Sequence, residues 1–324
     1  MLCTASSFVW PGGNLQQIAR YFTKLIKQIQ HLPERTANVA SLWLVGQLPI
    51  EPEIHRRMIN LFGNIIRNFE SIERDIAIRQ LATKPKTSDS LFIEIVKLLE
   101  LYELPSPHDL IMSPPYKLQW KHQVKSAIHF YWTRKLKLEA KEKSSLKFLN
   151  LESITPGTVH NIWESCGSEP FATTSASIKC KIACGTYTLQ KDKAKFSKND
   201  RISSTCKLCF KDSEDIIHFK LSCEALQPLR IDFLTLLRDE LLNHTDFGTT
   251  SEIFSNDDLL AGTKFSFLNS KTVFKIETIS RGFCYKLHQK RSAMLVQQVT
   301  WCIVQMWFCF IRETIMMYFY GLGK

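Results

Sequence analysis

The sequence predicts a mainly α-helical protein, in which a multi-helix N-terminal segment is followed by a small, separately braced helical domain. Three observations carry that expectation. Apolar residues recur at three- and four-residue intervals through much of the 324-residue chain, the period of one helix face. Only 12 Gly and 12 Pro are present, so helix-breaking residues are scarce. Hydrophobic residues make up 44% and charged residues 23%, a balance that belongs to a folded chain and not to a disordered or collagen-like one. The length suits one large domain or two ordinary ones, which excludes a tiny disulfide-stapled fold.

In chain order, Leu15, Ile18, Phe22, Leu25, Ile26 and Ile29 share a helical face, and Pro33 ends that helix. Residues 38–48 and 53–69 read as further helices, the second opening on Glu51-Pro52-Glu53, where proline and acid suit a first turn. Residues 72–81 continue the period, 84–90 form a loop, and 91–101 form a short apolar helix. Residues 104–116 hold Pro105, Pro107, Pro114 and Pro115 and are expected to be an extended seam between subdomains. Residues 117–147 then form a long helix with Trp120, Val124, Ile128 and Tyr131 inward. Loops are expected at 156–157 and 167–174, helices at 226–242 and 273–295, and a polar connector at 245–258. The expected segments are therefore 1–103, the seam 104–116, a basic helical segment 117–201, a braced domain 202–295, and an apolar tail 296–324.

Charge is distributed unevenly. The chain carries 42 Lys and Arg against 31 Asp and Glu, a formal net charge of +11, which favours polyanions. Between Lys117 and Lys147 nine basic residues face two acids, and between Lys179 and Arg201 seven face two. Lys117, Lys121, Lys125, Arg134 and Lys135 in the first segment, and Lys191, Lys193, Lys195 and Lys198 in the second, are the expected phosphate contacts. The run His129-Phe130-Tyr131-Trp132 places aromatic rings beside cations, a combination that suits single strands, although some of these rings must be core.

The strongest chemical signal is Cys206-Lys207-Leu208-Cys209, followed by His218 and Cys223. Two thiolates separated by two residues can approach one Zn²⁺ from a tight turn at about 2.3 Å, and an imidazole and a third thiolate complete a tetrahedron. With four protein ligands the site is closed, so the expected role of the zinc is structural. Residues 212–215 look like the start of the helix carrying His218. On an ideal helix a residue five positions on points about 140° away, so Cys223 converges only if the helix breaks near Leu221-Ser222. Three thiolates around a divalent ion leave a charge of about minus one, which Lys207, Lys211 and Lys220 are expected to offset. The alternative is four scattered side chains. Cys180 and Cys184 read as core residues, and Cys3, Cys166, Cys284, Cys302 and Cys309 show no ligand spacing.

Catalytic patterns are missing. Asp257-Asp258 lacks the aromatic residue and flanking strands of a polymerase hairpin and reads as a helix start, and there is no phosphate loop, nucleophile elbow or His-Glu-x-x-His. The N-terminus has no basic-then-apolar signal, so an intracellular, nuclear or cytoplasmic, reducing setting is expected. In the tail, the apolar run 301–311 meets Arg312-Glu313 after eleven residues, short of the roughly 20 needed to span a bilayer.

Several stretches occur in one order: residues 28–37 (QIQHLPERTA), Leu48-Pro49-Ile50-Glu51 with Glu53 and His55, residues 101–106 (LYELPS), residues 117–121 (KLQWK), residues 185–190 (GTYTLQ), the Cys-Cys-His-Cys set, and the helix carrying Arg230. Together they resemble the C-terminal region of non-LTR, LINE-type retrotransposon reverse transcriptase polyproteins, over roughly residues 14–295. The resemblance implies a helical segment of the kind that follows the polymerase thumb, then a CCHC zinc-knuckle domain. It implies a grip on template RNA and target DNA during target-primed reverse transcription. The palm and its metal-binding aspartates have no counterpart here, so the family's catalysis is not carried over. The tail from Val296 lies outside the resemblance, and the chain reads as a truncated piece of such a polyprotein.

The function expected from the sequence is thus a non-enzymatic nucleic-acid-binding module with structural Zn²⁺, binding RNA or DNA with little sequence specificity and not a membrane. The alternative is a helical protein–protein interaction module braced by zinc, in which the lysines are an ordinary solvated face.

Overall fold

Helices supply the regular structure among the described residues, apart from one isolated antiparallel bridge between Thr205 and Ser213. The mainly α class read from the periodicity is the class observed. The computed structural model describes residues 14–149, 155–167, 169–197, 202–255 and 268–320, and at 14, 252, 255, 299 and 301–320 it describes the backbone. The chain divides into two compact units, 1–146 with 151–160, and 147–150 with 161–324.

The first unit holds α1 (Asn14–Ile29), α2 (Asn38–Leu44), α3 (Ile50–Arg67), α4 (Ile72–Thr83), α5 (Leu91–Leu101), α6 (Pro107–Met112) and α7 (Lys117–Lys141). The proline-dense stretch 104–116 lies inside this unit. It carries α6, with Pro107 in the first turn and the Ser106 hydroxyl accepting the Asp109 N–H. Helix α2 stops at Leu44, short of the expected Leu48, because Gly46 takes a left-handed φ of 63°, a conformation glycine adopts without Cβ strain.

Helix α7 lies along α3 and buries Trp120, Val124, Ile128, Trp132, Leu136 and Ala140. The four-residue spacing is unbroken, so Trp132 and not the expected Tyr131 points inward. One ridge of i+4 side chains seats against the neighbouring helix more continuously than a row that changes step. Tyr131 is half-buried, its ring meeting Tyr102 edge-on at 5.4 Å. Close approach of the two helices depends on Gly63, since the Trp120 indole fills the space a Cβ would take there and donates to the Ile59 carbonyl at 3.3 Å. Nearby, the Trp132 indole N–H donates to the Tyr102 hydroxyl at 2.9 Å. That hydroxyl also shares a hydrogen bond of 2.7 Å with His55 Nδ1, its direction set by the imidazole tautomer. Burial, with Lys135 nearby and against the pull of Glu94, lowers the His55 pKa to about 4, so the imidazole is neutral.

The second unit holds α8 (Asn161–Glu164), α9 (Pro170–Ala183), α10 (Gln190–Phe196), α11 (Gln227–Leu242), α12 (Phe247–Ser255) and α13 (Ser270–Tyr320). Helices α8, α9 and α11 pack on α13. Val273, Ile276, Ser280, Phe283 and Leu287 form its buried stripe at alternating three- and four-residue steps. Phe233 of α11 stacks on Phe283, centroids 3.9 Å apart.

Several expectations change here. Residues from Pro170 onward, expected as loop, start α9, with proline at a favoured first-turn position. Part of the polar 245–258 stretch is α12, whose first turn is capped by Asp246, accepting the Thr249 N–H at 2.8 Å. Helix α13 continues without a break beyond Leu295 into the tail. Asp257-Asp258 lies outside the described residues. Cys180 and Cys184 are wholly buried, and burial pushes the Cys184 thiol up to about 12, as befits small core residues. Among the described residues no helix is long and apolar enough to cross a membrane.

Candidate metal centre

The Cys206–Cys209 turn is built by backbone hydrogen bonding. Thr205 bridges Ser213, the Cys206 N–H donates to the Asp212 carbonyl at 2.7 Å, and the Glu214 N–H donates to the Ser204 carbonyl at 2.9 Å. This hairpin-like loop folds Cys206 and Cys209 toward each other, with the Phe210 N–H closing on the Cys206 carbonyl at 2.9 Å. Residues 212–214 thus belong to the loop, and the helical turn starts only after Asp215, which caps it by accepting the His218 N–H at 3.0 Å.

The break that the ligand geometry demands takes the form of a π-turn, His218–Ser222, closed by the Cys223 N–H to His218 carbonyl bond at 2.7 Å. An i→i+5 turn is wider than an α-turn. It brings a residue five positions on back above its partner, where an α-turn would throw it to the far side. Cys223 then leaves in extended conformation, ending the helix.

As a result the ligand atoms of Cys206, Cys209, His218 and Cys223 all lie within 4.8 Å of one another. Cys206 and Cys223 sulfurs are 3.8 Å apart, and Cys209 Sγ is 3.4 Å from His218 Nε2. Tetrahedral zinc with bonds of about 2.3 Å to sulfur and about 2.05 Å to nitrogen has edges of about 3.8 Å and about 3.5 Å. These two separations match edges of such a polyhedron, and the sulfur–sulfur distance is far too long for a disulfide. The cluster is compatible with a zinc site.

Burial pushes the Cys206 thiol up, and pushes Cys223 up to about 12 with the neighbouring Cys206 adding to it. At Cys209 burial is outweighed by the backbone N–H groups of Lys211 and Asp212 and by bonds from the other two cysteines, so its pKa is lowered. A cation bound among them would lower the raised thiols by stabilising their thiolates.

The residues that brace the cluster come from elsewhere in the chain. Arg230 of α11 is buried and donates to the Lys220 and Cys223 carbonyls, both at 3.0 Å, and to Gln227 Oε1. It thereby satisfies the carbonyls at the end of the π-turn and sets a cation beside Cys223. Glu214 is buried, accepts the Gln190 N–H at 2.8 Å, and takes a two-pronged bond from Arg291 of α13 at 2.7 and 2.9 Å. Arg291 in turn lies over the stacked rings of Tyr187 and Phe219. Spacing along the chain shows none of this, since Glu214 and Arg291 are 77 residues apart.

The expected charge compensation is rearranged. Lys211 pairs with Glu224 at 2.7 Å, and Lys220 is buried within the field of Cys284, Lys179 and Glu277. Lys207 alone of the three is an exposed cation of the loop with no ion pair among the described residues.

The expected phosphate contacts fare differently from one another. Lys117, Lys121, Lys125 and Arg134 are exposed on α7, and among the described residues none of them pairs with a carboxylate. Lys135 is exposed with its ammonium 4.5 Å from the Trp132 ring centroid. On α10, Lys193 and Lys195 are exposed, whereas Lys191 pairs with Asp215 at 3.0 Å. Lys198 lies outside the described residues. Lys179, counted in the second basic segment, is buried in an ion pair with Glu277 and contributes nothing to the surface. Of the four aromatic residues at 129–132 only Phe130 is openly exposed, at 71%. Compared with known protein families, curated proteins and solved structures, the chain gives no match.

Proposed function

We propose that the chain is a non-catalytic nucleic-acid-binding module, of the kind that follows the polymerase in non-LTR retroelement proteins, with its second unit held by a structural zinc ion on Cys206, Cys209, His218 and Cys223. The observation that carries this reading is the set of exposed basic side chains on α7, Lys117, Lys121, Lys125 and Arg134, with no carboxylate partner among the described residues. Solvent-facing cations that a folded protein does not neutralise itself attract phosphates, and binding by them releases counterions. Four protein ligands leave the metal no open position, which supports bracing rather than chemistry. Arg230 beside Cys223 offsets part of the excess negative charge of three thiolates.

The test uses the purified full chain. Gel shifts with single-stranded RNA and with nicked duplex at several salt concentrations are expected to show affinity falling steeply as salt rises. Absent or salt-insensitive binding would reject the nucleic-acid reading in favour of a protein-interaction module. Metal content is expected to be one zinc per chain, and equal metal in a Cys206→Ser, Cys209→Ser variant would remove the site.

A further inference from the structure

Helix α7 is organised in four rows of every-fourth residues. One row is the buried ridge from Trp120 to Ala140. The row on its flank, starting at Lys117, runs Lys117, Lys121, Lys125, His129, Thr133, and then Lys137 and Lys141. It holds five lysines, one histidine and no acid; both acids near this helix, Glu139 and Glu142, fall in other rows. Four residues of helix rise about 6 Å, close to one nucleotide step of an unstacked strand. At Lys125 and His129 the row borders a cleft of about 560 Å³ also lined by the Arg56–Glu53 ion pair, and from His129 to Lys141 it borders a groove of about 540 Å³ with Phe130 and Arg134 on its wall. His129 lines both, so the two hollows adjoin.

We infer that this row is a phosphate ladder for a single nucleic-acid strand, which follows α7 from Lys117 to Lys141 with one base stacked on Phe130. The inference rests on the nucleic-acid reading above and specifies which surface and which form of the polymer. Each step of the row turns by about 40° around the helix, about 240° over the whole length. A stiff duplex touches only two or three steps of so strongly wound a path, whereas a flexible strand can follow all of it. Phe130 is 71% exposed and lines the groove together with His129 and Arg134, an aromatic face beside cations of the kind that takes any base.

The experiment measures fluorescence anisotropy of labelled 20-nucleotide oligo(U), oligo(dT) and a 20-base-pair duplex with the full chain across a salt series. A Lys117→Gln, Lys121→Gln, Lys125→Gln, Lys141→Gln variant is compared with a variant carrying the same change at four exposed lysines off the row, Lys84, Lys143, Lys271 and Lys290. The row variant should lower the salt slope for single strands by about 3, at about 0.7 per lost phosphate contact, and the control by much less. Phe130→Ala should weaken both single strands about tenfold and leave the duplex unchanged. RNA and DNA arms that respond alike assign the ladder to the shared phosphate backbone. Equal slopes in row and control variants, with salt-sensitive binding retained by the parent, would overturn the ladder alone. A duplex bound as tightly as the single strands and equally sensitive to the row would overturn the single-strand assignment. A folded parent that binds none of the three would overturn the underlying reading as well.

Discussion

Arg291→Met is expected to be among the most damaging single changes in the second unit. Arg291 and Glu214 are 7% and 1% exposed and share two hydrogen bonds of 2.7 and 2.9 Å. Methionine fills much of the arginine stem's volume but leaves the Glu214 carboxylate in an apolar setting with the Gln190 N–H as its remaining donor among these contacts. Removing one partner of a buried pair costs about 3–5 kcal/mol, mainly because the other charge is stranded. Glu214→Leu should cost a similar amount by stranding the guanidinium. The double variant removes both charges and leaves one unsatisfied backbone N–H, a cost of about 1–3 kcal/mol, so it should be more stable than either single variant. Urea titration read by peptide-resolved hydrogen exchange separates α9–α11 and the metal loop from the first unit. Loss of protection should be concentrated in residues 186–226, which Glu214 ties to α10 and α13. An Arg291→Met cost below about 1 kcal/mol, or a double variant whose cost is the sum of the singles, would refute the clamp.

Three further outcomes follow from the same geometry. Chelation should release a binding free energy on the order of 10 kcal/mol or more, comparable with the whole stability of a domain. Exchange protection around Phe219 and Leu226 should therefore collapse while that around Trp120 and Phe62 persists, and unchanged protection in both units would argue against a structural metal. His55 has a folded-state pKa of about 4 against an ordinary 6.5, so between those values the unfolded chain takes up a proton that the folded one refuses. The stability it confers is present above pH 6.5 and is lost as pH falls towards 4, up to about 3 kcal/mol; His55→Gln should flatten the pH dependence of first-unit unfolding over that window. Gly63→Ala places a methyl group where the Trp120 indole lies and should destabilise the first unit by about 1–3 kcal/mol, measurable as a lowered urea midpoint.

How far the sequence could be read depended on how local each determinant is. Helices α3, α5, α7 and α11 were legible because their apolar residues are periodic within the element itself. Along α7 the expected inward residue after Ile128 is Tyr131, three residues on, whereas the structure buries Trp132, four residues on. Only the partner helix decides between them, by accepting an unbroken ridge. Residues 170–183 begin Pro-Phe-Ala-Thr-Thr-Ser, apart from Ala172 weak helix formers by propensity, and packing of α9 on α13, with Ala172, Ala176 and Cys180 buried, overrides that preference. The candidate metal ligands were legible for the opposite reason: thiols and an imidazole carry their chemistry in their identity, and convergence on a tetrahedron calls for a helix break of the kind the π-turn supplies. Their supports were not. Nothing near Lys179 in the chain distinguishes it from Lys193, yet one is buried against Glu277 and the other faces solvent. A count of charge along a segment therefore overstates the surface available to a polyanion. The first three lysines of the row on α7 escape that error because the spacing that buries Trp120, Val124 and Ile128 also fixes Lys117, Lys121 and Lys125 on the exposed flank beside them, so there burial and exposure are set by one period, whereas Lys137 further along is half-buried.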